Sequence, residues 1–154
     1  MKRLVLNHRG CFNNVNVIEN TIKAFKNKLK DGFELDVQLT KDNVLVCYHD
    51  KTLERLHGNN NIIRNQYYNN LQQYSIDRLE DVFIEFDDSV FIDIEMKNYD
   101  YGNGYVKTAC SEVGRLINKY KKNNILVTSF DTNIIKESKT HPYKSTRIFD
   151  KDVK

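Results

Sequence analysis

Glu34 and Asp36, two apart in the stretch FELDVQLTKDNVLVCYHD (residues 33–50), are the pair in this chain whose types and spacing most readily do chemistry. The stretch reads as two short strands joined by a tight turn or loop, and residues two apart on a strand point to one face. Two carboxylates aimed into one space repel each other unless a positive charge lies between them, and a hard cation is the usual answer. His49 arrives at the end of the next apolar run, Val44 to Tyr48, where a barrel or an open α/β sheet places its functional groups. Taken alone, the same alternation also describes the solvated face of an edge strand. The rest of the chain has to decide between the two.

The elements that must position these residues follow from periodicity. Leu4 to Leu6 is a short β run ending in Asn7-His8-Arg9-Gly10. That ending offers an acid/base imidazole, a planar guanidinium suited to phosphate or carboxylate, and a permissive backbone. A His and an Arg after a strand are, by themselves, commonplace surface residues. Glu19-Asn20-Thr21 leads into Ile22, Phe25 and Leu29, spaced for an amphipathic helix that Asp31-Gly32 would stop. Asn43 suits the left-handed residue of the turn between the two central strands. Residues 51–78 read as a long loop with short helical turns, anchored by Leu53, Leu56, Ile62, Ile63 and Leu71, and a loop of that length in a compact domain tends to be functional. Leu79 to Phe86 is helical, Val90 to Met96 a strand, and Val106, Ala109, Cys110, Val113, Leu116, Ile117 and Tyr120 form the stripe of a long helix. A strand over 124–130, a short helix over 132–138 and a weak strand over 146–149 complete the order. Alternating strands and helices call for a largely parallel sheet, with its polar residues at successive C-terminal strand ends, the functional rim of a TIM-type barrel.

Composition narrows the classes. A hydrophobic share of 40% and a charged share of 29% are those of an ordinary soluble globular chain. A net charge of +3, with no basic run, gives no case for nucleic acid or an anionic membrane as partner. Cys11, Cys47 and Cys110 are odd in number and widely spaced, so neither a disulfide framework nor a metal-ligand motif can be read from them. The apolar run after Arg3 is too short for a signal-peptide core, and no stretch reaches membrane-spanning length. A cytoplasmic, reducing location is the default expectation.

In order and spacing, His8-Arg9-Gly10, Glu19-Asn20-Thr21, Glu34-Leu35-Asp36-Val37, Thr40-Lys41-Asp42, His49-Asp50, Leu53-Glu54-Arg55 and Ile94-Glu95-Met96-Lys97 resemble the glycerophosphodiester phosphodiesterase family, with Ser129-Phe130 matching a later strand end. The resemblance runs from about residue 4 to residue 130. It implies a TIM-barrel phosphodiesterase in which Glu34, Asp36 and Glu95 hold a divalent metal, Mg²⁺ or Ca²⁺. A set of three carboxylates without thiolates agrees, because it selects a hard ion over zinc. His8 and His49 would form the acid/base pair, and Arg9 and Lys97 would grip the phosphate of a small glycerophosphodiester. The expected reaction is hydrolysis to glycerol 3-phosphate and an alcohol. Glu19 and Asn20 are expected mainly at the helix start, Asp50 as an orienter of His49 or a turn cap, and Asp93 as buried structure or support for the site. His57 and His141 match nothing and are expected on the surface.

The chain departs from the family in size. A full (β/α)₈ barrel takes about 250 residues, whereas this chain has 154 and about six strands, with no counterpart of the last ones after Asp150. The expectation is therefore one α/β domain over 1–154, TIM-barrel-like but incomplete, with two open strand edges that a homo-oligomer would cover. Two alternatives follow: an inactive shortened barrel that keeps phosphodiester or metal binding, or a phospholipase D-like enzyme acting on lipid phosphodiesters.

Overall fold

A computed structural model describes residues 3–13 and 16–149. The end of the chain from Asp150, where no further strand is expected, lies outside the described residues. The elements run β1 (Leu6–His8), α1 (Ile22–Lys26), β2 (Gly32–Leu39), β3 (Leu45–Cys47), α2 (Glu54–His57), α3 (Tyr68–Leu71), α4 (Leu79–Glu85), β4 (Phe91–Met96), α5 (Asn103–Lys119), β5 (Ile125–Ser129), α6 (Thr132–Ser138) and β6 (Ser145–Arg147), with 3₁₀ turns over 63–65 and 72–74. This is the expected α/β order, each element lying within a few residues of its sequence pattern.

The six strands form one sheet along the path β1-β2-β4-β5-β6. Every pairing on that path is parallel, while β3 folds back antiparallel onto β2. One edge of β2 carries both β1, at Gly32 to Glu34, and β3, at Val37 to Leu39. Its other edge carries β4 from Gly32 to Val37. Strand β2 is thus central and buried along its whole length, which rules out the solvated edge-strand alternative for Glu34 and Asp36. The β2–β3 turn has Asn43 at φ 59°, as its amide side chain allows.

Hydrophobic burial sits mainly on the face of β2 carrying Phe33, Leu35, Val37 and Leu39. Helix α5 contributes Val106, Ala109, Cys110, Val113 and Leu116 to the same core. Phe25 stacks on Phe33 with ring centroids 4.2 Å apart, and Phe86 meets Phe33 edge-on at 4.9 Å. The segment over 51–78 makes a separate satellite core in which Leu53, Ile63 and Leu71 join Val46, Tyr48 and Ile76. That places three of the expected loop anchors.

Several local expectations are corrected. Helix α1 stops at Lys26, and Leu29 packs against the main core from beyond its end. Gly32 is no helix stop. It opens β2, where a Cβ would lie 1.8 Å from the carbonyl oxygen of Phe91. His57 and His141 are half-buried rather than fully exposed: His57 packs between Tyr48 and Tyr74, and His141 stacks on Tyr143. Aromatic neighbours absorb both rings, an outcome that single-residue polarity does not reveal.

Candidate active site

The site is built on the polar face of β2. Register sets Glu34 beside Asp93 and Asp36 beside Glu95, so the alternation of β2 meets that of β4 on one side of the sheet. Glu34, Asp36 and Glu95 are all buried, and each offers a carboxylate oxygen within 4.8 Å of the others. Asp93 lies one register step below and accepts a hydrogen bond from Thr128 Oγ1 at 2.8 Å.

Each polar side chain of β2 fastens a different loop. Glu34 Oε2 accepts from the backbone N–H of Arg9 at 2.9 Å. Arg9 itself adopts a left-handed conformation, φ 55°, followed by Gly10 at φ 78°. Gly10 is required there, since a Cβ would come within 2.7 Å of the Ala24 backbone. Asp36 and Asn20 bond reciprocally: Asn20 Nδ2 donates to Asp36 Oδ2, and the Asp36 N–H donates to Asn20 Oδ1, both at 2.9 Å. Gln38 Nε2 donates to the carbonyls of Tyr48 and Asp50 at 2.9 and 2.8 Å. It thereby holds the segment that carries His49. The helix cap falls to Thr21, whose hydroxyl accepts from Ala24 N. Glu19 and Asn20 therefore belong to the site more than to the helix start, contrary to their expected order of roles.

Charges converge on this frame. Lys97 Nζ lies 2.9 Å from Asp36 Oδ1 and also pairs with Glu95 Oε1. Arg9 Nε approaches Asp36 Oδ2 to 3.3 Å, and its Nη1 donates to Glu19 Oε1 at 3.2 Å. His8, on the exposed end of β1, has Nε2 3.7 Å from Glu34 Oε2. His49 Nδ1 lies 2.6 Å from Asp50 Oδ1, and the His49 carbonyl accepts from the Tyr99 hydroxyl. Of the two roles open to Asp50, the structure shows contact with the ring. His8, Arg9, Glu95 and Lys97 lie at or just past the C-terminal ends of the parallel strands β1 and β4, Glu34 and Asp36 lie within β2 at the register of those ends, and His49 follows β3, in the segment that Gln38 holds. Arg55 and Tyr99 received no role from sequence. For Arg55 the signal was its place in the Leu53-Glu54-Arg55 motif.

Clustered, buried carboxylates dominate the electrostatics. Burial, with Asp36 close by, pushes the Glu34 carboxyl up to about 8. Burial also raises Asp93, to about 6. For Lys97, burial disfavours the ammonium, but Asp36 and Glu95 outweigh it and raise its pKa. With Glu34 neutral, as its raised pKa implies near pH 7, four carboxylates (Glu19, Asp36, Asp50, Glu95) face three fixed cations (Arg9, Arg55, Lys97); ionising Glu34 raises the surplus from one negative charge to two before the imidazoles are counted. Glu34 Oε1 is buried with no hydrogen-bond partner among the described residues. A buried, unpartnered carboxylate oxygen in a site with that excess fits a divalent ion held by oxygen.

Fold and site together define a barrel-type α/β protein with acids and imidazoles at the C-terminal strand ends. A family model described as the glycerophosphoryl diester phosphodiesterase family matches residues 8–151, and the chain belongs to that family. It is 57% identical over 58 residues to a glycerophosphodiester phosphodiesterase of Caldanaerobacter subterraneus subsp. tengcongensis, covering 36% of this chain and 23% of that protein. It is 28% identical over 156 residues to lysophospholipase D GDPD3 of Homo sapiens, covering 86% and 46%. The crystal structure of a glycerophosphodiester phosphodiesterase from Thermotoga maritima superposes with TM-score 0.77 at 30% identity, over 96% of this chain and 62% of that one. An Oleispira antarctica phosphodiesterase in complex with the product sn-glycerol-3-phosphate superposes with TM-score 0.74 at 20% identity, over 92% and 63%. The chain spans less than half the length of these two curated relatives and about three-fifths of these structures. The six strands among the described residues correspond to part of a TIM-type barrel.

No helix among the described residues is long and apolar enough to cross a membrane.

Proposed function

We propose that the chain is a single glycerophosphodiester phosphodiesterase domain that hydrolyses small glycerophosphodiesters to glycerol 3-phosphate and an alcohol. The observation that carries this reading is the meeting of Glu34, Asp36 and Glu95 within 4.8 Å, beside Arg9, Lys97 and the His8 imidazole, with His49 tied to Arg9 through Asp50, Arg55 and Glu19. The three carboxylates would hold Mg²⁺ or Ca²⁺, which supplies electrostatic stabilisation of the phosphate and of its transition state. Arg9 and Lys97 bind the non-bridging phosphate oxygens and neutralise their charge. His49 keeps Nδ1 toward Asp50, which leaves Nε2 to move a proton; His8, open to solvent, serves as the second proton carrier. One imidazole activates the attacking hydroxyl and the other protonates the leaving alkoxide. The product held by the Oleispira relative supports the substrate class. Cys11, Cys47 and Cys110, all free, suit a reducing cytoplasmic setting. Strands β1 and β6 end the hydrogen-bonded path, and in the isolated chain a second copy would cover them.

The test is hydrolysis of glycerophosphocholine by the purified chain with Mg²⁺, with Ca²⁺ and with EDTA, beside His49→Ala. Metal-dependent release of glycerol 3-phosphate, lowered at least ~10²-fold in the variant, is expected. A folded sample that binds metal but turns over neither this nor a lysophospholipid substrate would favour binding without catalysis.

A further inference from the structure

We propose that Arg55 is a positioning residue that sets the spacing and orientation of His49 relative to Arg9. The inference rests on the roles proposed above for those two groups. Arg55 comes from the first turn of α2, whose preceding residue Leu53 is fully buried in the satellite core. The base of this long side chain is therefore fixed. Its guanidinium then forks twice. Toward Asp50, Nε donates to Oδ2 at 2.6 Å and Nη2 to Oδ1 at 3.2 Å. Toward Glu19, Nη2 donates to Oε1 at 2.5 Å and Nη1 to Oε2 at 3.1 Å. Asp50 holds the His49 ring, and Glu19 holds the Arg9 guanidinium, so one planar group ties two segments that are otherwise separate in the chain. A surface ion pair made only for solubility needs one fork. Two forks at fixed angles specify a distance, which lysine's single ammonium cannot do. The Asp50 carboxylate, pinned by Arg55, in turn selects the Nδ1–H tautomer of His49 and turns Nε2 away from it.

The direct readout is the imidazole ¹⁵N spectrum of His49 in the full chain, for wild type, Arg55→Lys and Arg55→Met. The wild type is expected to show the Nδ1–H tautomer alone. Both variants are expected to show a mixture, with circular dichroism and melting temperature confirming a folded sample. Arg55→Lys serves if Arg55→Met does not fold. An unchanged His49 spectrum in a folded variant would overturn the proposal. In the hydrolysis assay the variants should lose about 10²-fold in kcat/KM, split between kcat and KM because His49 and Arg9 both shift. A wild type without turnover would retire the activity reading alone, since the ¹⁵N spectrum reports positioning without substrate or metal.

Discussion

The two faces of β2 are buried to nearly the same degree by opposite physics. Phe33, Leu35, Val37 and Leu39 are at most 1% exposed and held by apolar packing. Glu34, Asp36 and Gln38, between 0 and 9% exposed, are held by hydrogen bonds and by ion pairs whose charges do not balance. The apolar face gains free energy from water leaving it. The polar face recovers at best what desolvation cost, and it leaves an oxygen of Glu34 unpartnered. One strand therefore carries its anchor and its site on alternate residues. Stability is concentrated on one side and the cost of function on the other.

The largest loss is expected on the apolar side. Phe33→Ala removes the stack on Phe25 and the edge contact with Phe86, and should cost about 3–5 kcal/mol in denaturant unfolding. A loss below about 1 kcal/mol would mean that this face is not the anchor. On the polar side, Glu34→Gln is expected to leave the metal-free chain folded and to abolish the response to divalent metal. For the wild type, metal at one hundred times its Kd should raise stability by about 2.7 kcal/mol; equal stabilisation of the variant would remove Glu34 from the ligand set. The smallest effect concerns pH. Burial works against the Glu19 charge, but hydrogen bonds and charge from Arg55, then Arg9, hold its carboxyl below the ordinary value of 4.5. Its contribution is complete above that value and fades as pH falls through the lower folded one. Glu19→Gln should therefore flatten the acid limb of the stability profile, with on the order of 1 kcal/mol lost at neutral pH. Urea midpoints between pH 3 and 7 would show it, and an unaltered acid limb would count against the clamp.

Much of this was legible without coordinates because it is local. Period-two alternation set Glu34 with Asp36, and the apolar stripe set α5. The positions of His8 and His49 followed from where apolar runs stop. Other features depended on partners far away in sequence. Whether β2 was an edge or a centre turned on the pairing of β1, β3 and β4 around it. Asn20 looked like part of a helix start until Asp36, sixteen residues on, took both ends of its amide. His57 looked like a surface residue until Tyr48 and Tyr74 closed around it.

The order of the elements, the family motifs and the residue types that could bind a cation and a phosphate are readable from the chain alone, because they are properties of short spacings. The family motifs already grouped Glu95 with Glu34 and Asp36; the fold supplied the register that brings the three within 4.8 Å, the place of Lys97 between two of them, and the link that Arg55 makes from the segment of His49 to that of Arg9. Those are distances between residues tens of positions apart, and the parallel register of β2 with β4, together with the anchoring of the 51–78 segment in its own core, is what sets them.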